Sequence, residues 1–424
     1  MKKAGPAALE VKVKVENRVN LVFLFVVMLA AKVSAGALGW QDVLYTAMKK
    51  NPSMLQSIRT LEQAKWNYYS TFSNFLPQVS VSAGDSRNGT TLTNDYSLGI
   101  SGRLNVFSGF GNIAESGMKG LEVKIASENY RRIVADEIYN LRKSFTNLLV
   151  AQEMIKLSKD IYERRIKNYE LIKLRYEAGR EDKGSYMRVG ADKFQIETEV
   201  NQYKRNLQVA AAQLCRDMGR AGYEALTVTG TFSLEQSGVN VDYEKLLKNI
   251  PEYLLAAYKL DKSKLEVISV KSSLYPGVSL SAGSSRSGDD FPLSDSSWSA
   301  GLNLSWPIFT SGKNLIKVKT AYLARQIYEL SLFETTQRLR AALISAWNTF
   351  LCSVENVNVR GKYLEASKEQ SDITTMKYLN GLVTYYEWYN VENDYINAQK
   401  SSLSAKSDAL LAEAAWKKTL GIGE

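Results

Sequence analysis

Leu76-Pro77-Gln78-Val79-Ser80-Val81-Ser82-Ala83-Gly84-Asp85-Ser86-Arg87 returns later in the chain as Tyr275-Pro276-Gly277-Val278-Ser279-Leu280-Ser281-Ala282-Gly283-Ser284-Ser285-Arg286, 199 positions on. Asn51-Pro52-Ser53 and Ile250-Pro251-Glu252 keep that spacing. Past a loop three residues longer in the second copy, the offset becomes 202. It then holds from Gly99 and Gly301 through Phe107 and Phe309 to Arg175-Tyr176-Glu177-Ala178-Gly179 and Lys377-Tyr378-Leu379-Asn380-Gly381. An offset kept over such a distance means two copies of one structural unit.

Within each copy the quoted stretch alternates. Val79, Val81 and Ala83 stand against Ser80, Ser82 and Gly84, and Val278, Leu280 and Ala282 against Ser279, Ser281 and Gly283. The following stretches do the same. Tyr96, Leu98, Ile100, Leu104 and Val106 alternate with Ser97, Gly99, Ser101, Arg103 and Asn105. In the second copy Trp298, Ala300, Leu302, Leu304, Trp306 and Ile308 alternate with Ser299, Gly301, Asn303 and Ser305. Period two with one apolar face predicts strands, at about 77–87, 95–107, 276–286 and 297–309. Segments of roughly 10–12 residues have the length a tilted strand needs to cross a bilayer. Phe75, Tyr96, Phe107, Tyr275, Trp298, Trp306 and Phe309 fall at strand ends, where an interfacial aromatic girdle sits. Alternation alone also fits a soluble sheet with one wet face. If the strands cross a membrane, four per chain leave two open edges that hydrocarbon does not tolerate, so several copies must share one barrel.

From about Asn112 to Tyr176, and again from Asn314 to Tyr378, there is no proline and little glycine. Such helices would each be about 100 Å long. Leu141, Phe145, Leu148, Ile155, Tyr162, Ile166, Tyr169 and Tyr176 follow a 4-3 spacing. Leu343, Trp347, Phe350, Val354, Val357, Leu364 and Tyr378 occupy the equivalent frame. Spacing of this kind predicts coiled-coil seams. Each helix turns near Gly179 or Gly381, with tips at about 177–185 and 379–387, and returns through roughly Ser185–Met218 and Tyr385–Leu420.

Composition narrows the function. There is no histidine, which removes the commonest general base and metal ligand. No catalytic, cofactor or metal site is expected. An envelope hydrolase would need paired carboxylates, and the scattered acids form no pair. Cys215 and Cys352 lie in different long helices and read as buried structural thiols, with a disulfide as the alternative. A basic start (Lys2, Lys3, Lys12, Lys14, Arg18), an apolar run Leu21–Ala31 and the small residues Val33-Ser34-Ala35 predict a signal peptide over 1–35. The n-region is long, so a downstream start is an alternative. About 390 residues remain for the mature chain. Net charge is +10 overall and +6 without the signal, spread along helices with no basic cluster, so nucleic acid is not an expected partner.

With strands and hairpins coupled twice, the chain resembles the TolC family of outer-membrane efflux proteins over nearly its whole mature length. The resemblance is carried by Asp42-Val43-Leu44-Tyr45-Thr46-Ala47, Asn51-Pro52-Ser53, Ile250-Pro251-Glu252-Tyr253-Leu254, the strand entrances Leu76-Pro77 and Tyr275-Pro276, and the tips Arg175-Tyr176 with Gly179 and Lys377-Tyr378 with Gly381. It implies an α+β membrane protein of two repeats, 36–218 and 246–424, each a coiled-coil hairpin plus a strand pair. A homotrimer would then form a twelve-stranded barrel continued by a periplasmic α-helical barrel, with 219–245 in a small equatorial domain. The implied role is a passive exit duct of a Gram-negative outer membrane, without enzymatic activity or cofactor. It would serve efflux or type I secretion with a periplasmic adaptor protein and an inner-membrane pump of RND, ABC or MFS type, set in outer-membrane lipid. A soluble periplasmic coiled-coil scaffold is the alternative.

By position in that family, Glu387 falls where an acidic residue faces the pore, and Asn390 replaces a second acid. Ser185 and Val383 stand where some members hold a charged pair that locks the tip. Arg188, with Arg180, Glu181, Asp182 and Lys183, offers other contacts there. Arg175, Tyr176, Gly179, Lys377, Tyr378 and Gly381 form the tips that meet the adaptor. Arg103, Asn105 and Asn303 line the expected lumen, Arg103 as its one charge.

Overall fold

The computed structural model describes residues 37–87, 94–222, 225–234 and 241–423. The expected signal peptide lies outside the described residues. Two short helices, α1 (Trp40–Lys50) and α2 (Pro52–Ser70), lead through a 3-10 turn to strands β1 (Gln78–Arg87) and β2 (Asn94–Ser108). The first hairpin follows, α3 (Gly111–Glu177) and α4 (Lys183–Asp217). The second copy runs α5 (Tyr243–Leu247), α6 (Pro251–Lys271), β3 (Gly277–Gly288), β4 (Asp295–Ser305), α7 (Lys313–Leu379) and α8 (Tyr385–Thr419). Every boundary of α3 and α4 recurs 202 residues later in α7 and α8. The long helices have 67 residues each, or about 100 Å. Among the described residues no helix is long and apolar enough to cross a membrane.

Both long helices stop the same way. Gly179 and Gly381 take the left-handed conformation (φ 68° and 74°) that a side chain would resist. The chain then doubles back with Arg180 N donating to Arg175 O (2.8 Å) and Leu382 N to Lys377 O (2.9 Å), the Schellman pattern that satisfies the last carbonyls of a helix. The return helices are capped alike: Asp182 accepts from Ser185 N, and Thr384 Oγ1 from Glu387 N.

The strands form one antiparallel sheet in the order β1-β2-β3-β4. Residues paired across strands share a face. Ser80, Ser101, Gly283 and Ser299 make one row, and Gln78, Arg103, Ser281 and Gly301 the next. The opposite face carries Val81, Ile100, Ser284 and Trp298 in one row and Leu104, Leu280 and Leu302 in another. Serine hydroxyls bridge strands on the polar side, Ser80 to Ser101 and Ser285 to Ser297, each at 2.9 Å.

Three sequence expectations are corrected. A β-bulge at Asn105/Phe107 sets Phe107 opposite Val278, so Phe107 rather than Val106 continues the apolar face. A bulge adds one residue without changing the partner strand, and alternation does not reveal it. β4 ends at Ser305 instead of 309, because Pro307 has no N–H to offer and, among the described residues, no fifth strand lies alongside. Arg103 is also not the one charge on the polar face, since Asp95 pairs with Ser86 and Asp295 with Ser287.

Two clusters hold the middle of the molecule. Val43, Met54, Leu141, Phe145, Leu148, Leu214 and Val228 belong to the first. There Leu38 and Val228 form a parallel bridge, and Gln152 bonds both backbone groups of Val228 at 2.8 and 2.9 Å. Leu247, Ile250, Leu343 and Trp416 form the second. Toward the tip the buried positions of α3 are Ile161 and Ile172, while Tyr162, Tyr169 and Tyr176 are only partly covered. The 4-3 seam allows for one partner helix, whereas α3 packs on α8 as well as α4, and the stripe rotates to meet both. Cys215 is buried as expected, but Cys352 is exposed, and neither cysteine is in a disulfide.

Candidate functional site

The two hairpin tips are joined inside one chain. Ile172 of α3, Val189 of α4, Tyr378 of α7 and Trp388 of α8 form a single buried cluster. Tyr378 and Trp388 stack nearly parallel, centroids 4.7 Å apart, and Trp388 Nε1 donates to Thr375 Oγ1 at 3.0 Å. Arg175 also lies over the Tyr378 ring, its guanidinium carbon 4.3 Å from the centroid. Arg175 Nη2 also donates to the carbonyls of Tyr378 (2.9 Å) and Leu379 (3.0 Å). The Tyr378 hydroxyl donates to Glu181 Oε2 at 2.6 Å. Burial and the Glu181 carboxylate push the Tyr378 phenol well above its ordinary range, so it stays a donor at neutral pH. These contacts form a latch between the end of α3 and the end of α7.

A second layer lies farther from the turns. Arg165, nearly buried, bonds Asn393 Oδ1 of α8 and lies 3.6 Å from Asp192 Oδ2 of α4. Asp192 Oδ1 accepts from the Tyr389 hydroxyl at 3.3 Å. Arg164 pairs with the buried Glu392 at 3.7 Å and covers the Tyr395 ring at 4.6 Å; Ser371 also bonds Glu392. Beyond the Ile161–Ile196–Ile396 contact, Lys400 meets Glu199 at 2.8 Å. Burial raises the Glu199 carboxyl, but hydrogen bonds from Lys400 and Gln195 outweigh it and hold the group below its usual range.

The remaining expected residues are placed as follows. Tyr176 stacks on Tyr186 at 5.2 Å. Lys377 and Glu387 are exposed, and Asn390 is half-buried. Ser185 is buried, its hydroxyl donating to Asp182 Oδ2 at 2.6 Å. Hydrogen bonds, first from the Ser185 hydroxyl and then from the Ser185 backbone N–H, hold the Asp182 carboxyl below its usual range. Arg188 lies over the Tyr389 ring at 4.4 Å. Arg103, Asn105 and Asn303 stand together at one end of the polar face, where Asn105 and Asn303 both oppose Ser279 and Asn303 Nδ2 donates to Ser281 Oγ at 3.1 Å. Sequence reading missed Arg164, Arg165, Asp192 and Glu392. Their one signal was four charges placed on a seam-bearing stretch.

The outer membrane efflux protein family matches residues 43–220 and 243–422, both repeats. The chain belongs to that family. It is an outer-membrane efflux protein, with its hairpins on the periplasmic side. Among its relatives is the probable outer membrane lipoprotein SilC of Salmonella typhimurium, 22% identical over 391 residues that cover 84% of this chain and 80% of that protein. The solvent efflux pump outer membrane protein SrpC of Pseudomonas putida is 25% identical over 186 residues, 42% of this chain and 39% of SrpC. In fold the chain is similar to the open-state outer membrane channel MtrE of Neisseria gonorrhoeae, with a TM-score of 0.80, 18% identity and coverage of 93% and 94%.

Proposed function

We propose that three copies of this efflux protein close into one barrel and form a passive exit duct without chemistry of its own. Cargo would be supplied by an inner-membrane pump through a periplasmic adaptor protein, for efflux or type I secretion. The observation that carries this reading is the single open sheet, polar on one face and apolar on the other, continued by hairpins about 100 Å long. Copies joined edge to edge would turn the serine-rich face inward and the valine, leucine and tryptophan face to lipid. Arg103, Asn105 and Asn303 then line the lumen. The tips form the periplasmic entrance, with Glu387, Asn390, Ser185 and Arg188 near its constriction and the exposed turns, including Lys377, meeting the adaptor. In place of a salt bridge between Ser185 and Val383 positions, the Arg175–Tyr378–Glu181 latch resists separation of the hairpins. The test is the heat-dependent gel mobility of the detergent-extracted membrane fraction. A band sized for three chains that collapses to one on boiling is expected; a monomer before heating would refute the shared barrel.

A further inference from the structure

Resting on the reading that the apolar sheet face meets lipid, we infer that Arg87 and Arg286 each head a binding site for the phosphate headgroup of a membrane lipid. The strand registers put Asp85, Arg87 and Arg286 on that face, as its only charges among the strand residues. Both arginines are exposed at the end of the sheet away from the helices. Among the described residues neither has an ion-pair, hydrogen-bond or ring partner. Arg87 is nine residues beyond Gln78 and Arg286 nine beyond Gly277, the first residues of β1 and β3. On a strand tilted by 35–45° that is a rise of about 23 Å, which brings both side chains to the outer edge of an apolar band roughly 25 Å tall. A lipid-facing arginine costs least at that depth.

The surroundings of the two arginines repeat as well. Asn94 stands directly opposite Arg87, and Ser296 directly opposite Arg286. Two residues inward on the same partner strands come Tyr96 and Trp298, the latter 81% exposed. Each copy therefore presents the same trio on one face. A guanidinium has a short hydrogen-bonding side chain about 5 Å away across the strands and an aromatic ring on the diagonal at roughly 7–8 Å. The arginine fork and the neighbouring amide or hydroxyl supply convergent donors to phosphate oxygens. The ring sits one rung deeper, where acyl chains begin. Phe291, from the turn after β3, adds a second exposed ring 5.2 Å from Tyr96.

Charge is sorted between the two faces at this end. Asp95 and Asp295 stand on the polar face, opposite Ser86 and Ser287, so an anion is repelled inside the lumen and attracted outside it. The two copies differ at one rung. Asp85 opposes Tyr96, whereas its counterpart Ser284 opposes Trp298. Asp85 is the only acid on the strand rungs of the lipid face, since Asp289 and Asp290 lie beyond β3 in the turn. Two residues from Arg87 and on its side of the strand, the Asp85 carboxylate weakens the first site.

Native mass spectrometry of the full-length, detergent-purified oligomer tests the sites, with dioleoyl phosphatidic acid and dioleoyl phosphatidylcholine as probes. Phosphatidic acid should be retained at least about tenfold more tightly than phosphatidylcholine, whose own ammonium already neutralises its phosphate. Arg87→Gln with Arg286→Gln should bring the two lipids level, and Asp85→Asn should tighten phosphatidic acid binding about two- to threefold. An unchanged lipid preference in a double variant that keeps the three-chain band overturns the proposal. If the double variant loses that band, Asp85→Asn decides, and unchanged binding there overturns it equally. Inorganic phosphate in about a hundredfold excess, against chloride of equal ionic strength, should leave most of the lipid bound. Complete displacement would mark a free-anion site and overturn the lipid assignment. Retention of neither lipid by the intact oligomer would refute the lipid-facing sheet together with its sites. Loss of the three-chain band in the unsubstituted protein would instead refute the shared barrel.

Discussion

Arg175→Ala removes the side chain that holds the end of α3 to the end of α7. It deletes two hydrogen bonds to the Tyr378 and Leu379 carbonyls and the guanidinium 4.3 Å from the Tyr378 ring. Hydrogen bonds from a charged donor contribute roughly 1.5–3 kcal/mol when buried, and about 1 each is reasonable at a half-exposed tip. The ring contact adds about 0.5–1 kcal/mol. The latch therefore stabilises the joined state by about 2–3 kcal/mol per chain, a factor of roughly 30–150 in the joined-to-separated ratio. Planar-bilayer recording reads this as a rise in open probability, and hydrogen exchange across 376–384 as faster exchange. Arg175→Lys should fall between, since one ammonium keeps the charge but loses the planar fork. A folded Arg175→Ala oligomer with open probability and exchange within about twofold of the parent would refute the latch.

Glu387→Gln should change the cation selectivity of single-channel current, because an exposed carboxylate at the entrance attracts cations; unchanged reversal potentials would remove it from the constriction. Ile172→Ala, at a fully buried site joining all four helices of the tips, should cost about 2–4 kcal/mol in denaturant titration, whereas exposed Leu174→Ala should stay within about 0.5 kcal/mol. Glu199 is held below its ordinary pKa, so its pairing with Lys400 stabilises above the carboxylate range and is lost as pH falls through the lowered value. Hydrogen exchange around Lys400 should therefore accelerate as pH falls below the ordinary carboxylate range, and Glu199→Gln should abolish that dependence.

The two repeats could be read from sequence because every element keeps its own spacing. Period two marked the strands, the absence of proline marked the long helices, and a glycine marked each turn. Offsets of 199 and 202 even located the loop that differs. The bulge at Asn105/Phe107 could not be read, because an inserted residue leaves the side chains alternating on either side of it. Nor could the drift of the α3 stripe from Tyr169 to Ile172, which depends on a helix more than 200 residues away. At the tip, Tyr378 and Arg175 were visible as a repeated pair. Their mutual contact was not, since local patterning carries no information on which copy's arginine covers which copy's tyrosine. The Arg165–Asp192–Asn393 layer was hidden for the same reason.

Ion conduction by the purified, unboiled oligomer in planar bilayers tests the duct most directly. The account predicts discrete conductance steps from a preparation whose mass equals three chains. An oligomer that stays soluble without detergent and leaves the bilayer silent would contradict it, and the apolar sheet face would then have to be covered by protein rather than lipid.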